Sequence, residues 1–479
     1  MNNDNSTVRL ERSSPAAGIG IVHIGPGAFF RAFTAIYTHE AMQIADGNWG
    51  ISAVSLKSRT AYDQLVPQGG AYTSISLDAT GRESQLIESI SEVLVAPEDP
   101  QVVLSRLADP AVNIVTLTVT EKGYCHHPAS GRLDLAHPDI VHDRAHPHTP
   151  RSAPGLIVEG LALRRAQGVT PFTVISCDNL PSNGSVVQSV VLDLAAARDA
   201  SLADWIKSEG RFPSTMVDRI TPATTAVDIE ALLHHEGYKD LGCVLHEPFR
   251  QWVIEDTFVG ARPAWERAGA QLVASVDAHE LMKLRCLNGT HSALAYLGYL
   301  AGFETIADTV SDPVFKRFVQ TLWQDEIIPT VPCPEGENLE RYCASLMERY
   351  CNPAIRHLTW QIAMDGSQKL PQRLLGTISD NLERGILPRG LCLAVAAWMT
   401  YVSGRDERGE PIDVRDPMAS KLAEICQQST GSVATVSALL KIDTIFDAEL
   451  AADESFRAAL IAAHERLASE GAHASLFDA

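Results

Sequence analysis

Ile21-Val22-His23-Ile24-Gly25-Pro26-Gly27-Ala28-Phe29-Phe30-Arg31 is the stretch that decides the fold. Its first four residues read as a short buried strand. Gly25 and Gly27 then allow a tight turn, and a helical pattern opens directly behind it. Such a turn lets the backbone approach a pyrophosphate, and the helix start offers N–H groups and the positive end of its dipole. Gly25, Gly27, Ala28, Phe29, Phe30 and Arg31 are therefore the candidate dinucleotide-binding residues. Phe30 stands where the third glycine of G-x-G-x-x-G is usual, so the match is partial. An ordinary strand-to-helix turn is the plain alternative.

The pattern continues outward from this unit. Residues 51–56, 112–119 and 172–176 read as further strands, and 243–246 and 271–276 as late ones. Residues 34–42 and 155–166 read as helices between them. Strands alternating with helices predict a mostly parallel sheet covered by helices, an α/β Rossmann-type domain. An NAD site usually closes its second strand with an acid. Here that strand runs into Ser55-Leu56-Lys57-Ser58-Arg59, with no acid before Asp63. Lys57 or Arg59 faces a 2′-phosphate instead, or both are solvated loop residues. NAD is the expected cofactor, with NADP left open.

From about residue 277 helix-period patterns take over. Residues 281–300, 312–326, 338–350 and 455–469 read as helices, 391–402 as a buried helix, and 404–417 as a charged surface loop. This predicts two domains: 1–277 for the dinucleotide and 278–479, mainly α-helical, for substrate and catalysis. A chain of 479 residues is also too long for one ordinary core. The formal charge of −20 speaks against nucleic acid and anionic membranes as partners. The apolar run at 391–402 is too short to span a bilayer. Nine cysteines without C-x-x-C spacing favour a reducing cytoplasm. Residues 1–6 read as a polar, unstructured start. The sequence leaves the oligomeric state open.

Lys283-Leu284-Arg285-Cys286-Leu287-Asn288-Gly289-Thr290-His291 places an amine, an amide and an imidazole together at the start of the second domain. On an α-helix, at about 100° per residue, Lys283, Asn288 and His291 share an arc of about 140°. Lysine acts as a base where burial depresses its pKa. Asn288 can donate to an oxygen that gains negative charge, and His291 can donate, accept or orient. The bland alternative is a helix with incidental polar residues. Ligand sites often form where domains meet. His126, His127, His137, His142, His146 and His148 lie among Pro, Gly, Asp and Arg and read as polar loop, with no metal site expected.

These motifs are similar to those of the polyol-specific long-chain dehydrogenases, which include mannitol 2-dehydrogenases and fructuronate (mannonate) oxidoreductases. The resemblance covers roughly residues 21–472. It is carried by Ile24 to Ala32, Thr118-Val119-Thr120-Glu121-Lys122-Gly123-Tyr124, Ser176-Cys177-Asp178-Asn179-Leu180-Pro181-Ser182-Asn183-Gly184, and Met216-Val217-Asp218-Arg219-Ile220-Thr221-Pro222. It continues through Glu247 to Asp256, Lys283 to His291, and Asp365-Gly366-Ser367-Gln368-Lys369-Leu370-Pro371-Gln372-Arg373. It implies metal-free hydride transfer to nicotinamide with Lys283 as acid/base. Asn179 and Asn288 would polarise the reacting oxygen, and His291 would hold substrate. Asp218 would lie near the cofactor and Lys369 in the substrate pocket.

Glu280 and Glu121 are candidate proton relays, or simply surface acids near an element end. Arg356, His357, Lys369 and Arg373 flank the Asp365-Gly366-Ser367 turn and could hold a carboxylate, or be solvated cations. The segment 356–373 and Thr120 to Cys125 are most similar to fructuronate reductases, which implies D-fructuronate/D-mannonate as substrate. A mannitol, arabinitol or sorbitol dehydrogenase is the alternative. A non-catalytic sugar or dinucleotide sensor, and a phosphogluconate-type 3-hydroxyacid dehydrogenase, are readings from other classes.

Overall fold

The computed structural model describes residues 8–127 and 130–477, so the polar start at 1–6 lies outside it. The chain divides into two compact units, Met1–Asp277 and Ala278–Ala479.

The first unit is built on five parallel strands: β1 (Ile19–Ile24), β2 (Gly50–Ser55), β5 (Ile90–Val95), β6 (Ile114–Leu117) and β7 (Thr173–Ser176). They lie in the order β5-β2-β1-β6-β7. The chain thus leaves β1 toward β2 on one side and later returns to its other side with β6. That reversal opens a crevice beyond the carboxyl ends of β1 and β6. The strands read as unbroken apolar runs because helices cover both faces of the sheet. Val22, Ile24, Val115, Leu117 and Val174 pack on one face with Leu107, Leu156, Leu161 and Val190. Ile21, Ile51, Ile114 and Ile175 pack on the other with Phe30, Phe33, Tyr37, Trp252 and Trp265. His23 is buried in the middle of β1 and is satisfied there. Its Nδ1 lies 2.8 Å from Thr116 Oγ1 and its Nε2 3.0 Å from Thr118 Oγ1.

Two small sheets flank this core. β3 (Tyr72–Asp78) and β4 (Gly81–Ile87) form an antiparallel hairpin, with β9 (Val244–His246) parallel to β3. β8 (Thr215–Asp218), β10 (Gln251–Glu255) and β11 (Gln271–Val273) form the other. The strands expected at 243–246 and 271–276 are present as β9 and a shorter β11. β3, β4, β5, β8 and β10 were not expected.

The second unit is helical. Arg389–Tyr401 is its central helix, with the apolar residues Leu391 to Met399 all buried. Glu326 fixes the start of this helix, its two oxygens accepting Gly390 N and Leu391 N at 2.8 Å each. Burial of apolar side chains such as Leu391, Leu393 and Met399 contributes about 1.5–3 kcal/mol each. Among the described residues no helix is long and apolar enough to cross a membrane.

The helix expected over 281–300 forms in three parts. Asp277–Met282 and Thr290–Leu300 are α-helical, but Lys283–Gly289 between them is a π-helix. The residues of this segment, Lys-Leu-Arg-Cys-Leu-Asn-Gly, give no sign of this widening. Its cause is outside the segment: other side chains take its carbonyls, as described below.

Candidate active site

In the first unit a cavity of about 670 Å³ opens at the crevice beyond β1 and β6. Gly25, Pro26, Gly27, Ala28 and Arg31 line one side, Ser55 to Ser58 a second, and Thr118, Val119, Thr120, Lys122 and Gly123 a third. Gly25 has φ +97, and a Cβ there would stand 2.2 Å from Thr118 O. Only glycine lets the turn pass that close to the end of β6. A Cβ on Gly27, by contrast, would meet no neighbour nearer than Gly25 O at 3.9 Å, so the turn stays open.

Arg31 makes this cavity suitable for a pyrophosphate. Its side chain is buried, Nη1 donates to Pro26 O at 2.9 Å, and Nε has no partner. Burial holds its pKa below the usual guanidinium range. A buried cation with a free donor, beside a glycine turn, is a strong anchor for a doubly charged oxyanion. The residues present therefore fit a dinucleotide.

The other residues expected at the cofactor are distributed differently. Ala28 and Lys57 line the cavity, the Lys57 amine 3.8 Å from Asp139. Phe30 is fully buried and stacks on His23 at 3.6 Å, while Phe29 stacks on Phe33 at 5.0 Å. Both rings thus serve the core, because the short helix Ala28–Ala32 turns that side toward the sheet. Arg59 is drawn away by Glu98 and by Asp63 at 3.3 Å, and it covers the Tyr62 ring. Asp218 is buried at the end of β8, ahead of Ala223 and Thr224, which do line the cavity.

The third wall is strained. Thr120 has φ 63 and ψ 166. That region is essentially confined to glycine and costs a threonine about 1–3 kcal/mol. Asp178 holds it: Oδ2 accepts Val119 N at 3.0 Å and Tyr124 OH at 2.7 Å, and Oδ1 accepts Thr120 N at 2.9 Å. In the sequence this wall is visible only as a motif, with a role expected of Glu121 alone. Glu121 is exposed at the start of the 3-10 turn Glu121–Tyr124 and does not line the cavity. Asn179 follows Asp178 beyond the end of β7 and is exposed.

In the second unit the π-helix Lys283–Gly289 carries the expected amine and amide. On an α-helix Asn288 would lie about 140° round from Lys283. A π-turn, whose backbone bond spans five residues, brings the two onto one face. The freed carbonyls are occupied. Trp323 Nε1 donates to Cys286 O at 2.9 Å, Thr290 Oγ1 to the same oxygen at 2.5 Å, and Tyr350 OH to Leu287 O at 3.0 Å. Lys283 is buried, with 9% of its surface exposed, and Glu280 is half-buried one turn before it.

A second π-turn, Pro371–Leu375, packs on the first. Pro371 gives the ladder no N–H, which favours the wider turn. Gly289 permits the contact: a Cβ there would be 2.8 Å from Arg373 O. Arg373 Nη1 then reaches Ser292 Oγ at 3.2 Å. Among the described residues no carboxylate lies within ion-pairing distance of this guanidinium. Burial lowers its pKa, and Tyr296 and Tyr350 oppose that shift.

His291 is buried between Tyr350, at 4.8 Å, and His357, at 4.7 Å. Burial first, then His357, Arg373 and Arg349, hold His291 well below the usual imidazole range, so its ring is neutral. His357 is lowered to about 4 by burial and by Arg349. Lys369 is lowered to about 8 by burial and Arg373, and its Nζ donates to Met364 O at 2.5 Å. Arg356 does not join this group. It lies at the surface in an ion pair with Glu304 at 2.6 Å. Arg349 and Tyr350 were missed in the sequence, where nothing distinguishes them from other residues of the helix Leu339–Tyr350.

Three of the histidines of 126–148 have clear structural roles. His148 pairs with buried Glu159 at 2.7 Å, His142 with Asp143 at 3.1 Å, and His137 caps the helix Pro138–Ala145. Among the described residues no group of three His, Cys, Asp or Glu is placed to hold a metal ion.

Known proteins share both units. The profile of the mannitol dehydrogenase Rossmann domain matches residues 19–267, and that of the mannitol dehydrogenase C-terminal domain matches 275–468. The chain belongs to the mannitol dehydrogenase family. It is an oxidoreductase of that family, with its α/β Rossmann-type unit and its helical unit. The D-mannonate oxidoreductase of Escherichia coli K12 is 48% identical over 456 residues, which are 94% of each chain. The mannitol 2-dehydrogenase of Pseudomonas fluorescens, solved with NAD and D-mannitol, is 37% identical. It superposes with a TM-score of 0.83 over 98% of this chain and 96% of its own. A D-sorbitol dehydrogenase in substrate-free form gives a TM-score of 0.91 at 31% identity, over 98% of each chain. Family members thus act on polyols and on sugar acids.

Proposed function

We propose that this protein is an NAD-dependent sugar-acid dehydrogenase that interconverts D-fructuronate and D-mannonate. The observation that carries the choice of a sugar acid is Arg373. It is a largely buried guanidinium in reach of His291, and among the described residues a serine hydroxyl and no carboxylate meets it. A planar guanidinium in such a setting suits a carboxylate better than a hydroxyl. Lys369 adds a second cation that is charged below about pH 8. The 48% identity to a D-mannonate oxidoreductase supports the same reading.

In this reading the dinucleotide lies on the Gly25–Gly27 turn, with its pyrophosphate on Arg31. When bound, nicotinamide supplies the hydride acceptor or donor. Lys283 takes the hydroxyl proton of mannonate in the oxidising direction and returns it to the ketone oxygen of fructuronate in the other. Asn288, and Asn179 by family resemblance, donate to that oxygen while it carries negative charge. His291 and His357, both neutral, hold sugar hydroxyls, and Glu280 passes the proton between Lys283 and water. The nine cysteines are all free, which fits a reducing compartment such as the cytoplasm.

A neutral polyol is the second reading, favoured by the two imidazoles, which need only hydroxyls. Rates of NADH and NADPH oxidation with fructuronate, tagaturonate, fructose and xylulose decide between them. Fructuronate with NADH should be the best pair. Fructose as the best substrate would favour a mannitol 2-dehydrogenase. Cofactor binding without turnover of any keto-sugar would favour a sensor.

A further inference from the structure

We propose that Asp178 is a positioning residue for the dinucleotide, through the strained wall of the cavity, and so rests on the dinucleotide reading above. A single carboxylate accepts from Val119 N, Thr120 N and Tyr124 OH. Two of these donors are consecutive backbone amides, the second in the peptide that enters the glycine-like conformation of Thr120. The third closes the far end of the same turn, because Tyr124 ends Glu121–Tyr124. Asp178 therefore holds both ends of the segment that lines the cavity beside the Gly25–Gly27 turn.

Asp178 is itself fixed. Its N–H donates to Ser176 Oγ at 3.3 Å, and its carbonyl accepts Leu180 N at 2.9 Å and Asn183 Nδ2 at 3.0 Å. The Ser176 hydroxyl also lies 2.5 Å from the Tyr124 oxygen. Burial pushes the Asp178 carboxyl up, and the hydrogen bonds from Tyr124, Val119 and Thr120 oppose that shift by favouring the charged form. Replacing one carboxylate oxygen by an amide nitrogen leaves at least one of the two backbone N–H groups without an acceptor, so that Thr120 is free to return to an ordinary conformation. The wall then moves out of the shape that meets the cofactor, and the peptide that leads into Asn179 loses its anchor.

The test is a fluorescence titration of NADH into the full-length protein. Asp178→Asn, which keeps the size and removes the charge, is expected to weaken NADH binding about tenfold or more. Thr120→Gly in the same chain should recover most of that loss, because glycine adopts the wall conformation without a clamp. General damage to the fold would not be repaired by a glycine. Tyr124→Phe, alone and with Thr120→Gly, gives the same comparison should Asp178→Asn not fold. Asp178→Asn binding NADH as tightly as the unmodified chain would overturn the proposal. So would a double variant no better than the single one. Failure of the unmodified chain to bind NADH or NADPH overturns the dinucleotide reading itself, and this proposal with it.

Discussion

The His291 ring meets the His357 ring edge to face at 4.7 Å, and Nε2 of the first and Nδ1 of the second are both buried without a partner. Each unpaired nitrogen costs stability, about 1–3 kcal/mol by analogy with other buried polar groups. Substrate hydroxyls remove that cost. His357→Phe should therefore raise KM for fructuronate and fructose alike, about tenfold, while the melting temperature stays level or rises. A lowered melting temperature with unchanged KM would make His357 a structural residue only.

Arg373 separates acids from polyols. Arg373→Gln keeps a donor for Ser292 and removes the charge. A charge-assisted hydrogen bond contributes about 1.5–3 kcal/mol, so KM for fructuronate should rise about 10- to 100-fold. The KM for fructose should change little. Equal losses on both substrates, measured by initial rates, would remove the carboxylate role.

Lys369 gives that binding a pH dependence. Its ammonium is held down to about 8 by burial and by Arg373. The charged form is present below that value and is lost as pH rises through it. KM for fructuronate should accordingly climb between pH 7 and about 9, and KM for fructose should not. A flat profile for fructuronate would contradict this.

His23 sets the acid limit of the first unit. Burial lowers its pKa to about 3, and that of His246 likewise. The unfolded chain binds these protons near pH 6.5, so acid favours unfolding between about 6.5 and 3. Each histidine then costs up to about 1.4 kcal/mol per pH unit. The melting temperature should fall as pH drops from 7 to 5. His23→Asn, which keeps a donor and an acceptor, should flatten that fall. An unchanged slope would show that the buried ring does not control it.

Much of this was legible because strong local signals agree with the fold. β1, its glycine turn and the helix pattern behind it fix a parallel sheet, and a buried sheet demands the apolar runs that mark β2, β6 and β7. β4 was hidden because Gly-Arg-Glu-Ser-Gln is polar and forms an exposed hairpin arm, whose stability comes from β3 beside it. The π-turn at Lys283 was hidden for a related reason. Trp323, Thr290 and Tyr350 cause it, and two of them are distant in sequence. Arg356 and Arg373 look alike as cations near one turn. Glu304 takes the first at the surface, and the packing of Gly289 carries the second inward. Phe29 and Phe30 occupy a cofactor motif but face the sheet, a matter of helix rotation that spacing does not determine.

The account stands on Lys283 as the group that moves the proton. Its most direct test is Lys283→Ala, with turnover of fructuronate and NADH followed by absorbance and NADH affinity followed by fluorescence. Loss of a positioned acid/base costs about 10²- to 10⁴-fold. The predicted result is a fall in kcat of that size with NADH affinity within about threefold of the unmodified chain. Turnover at the unmodified rate would contradict the account.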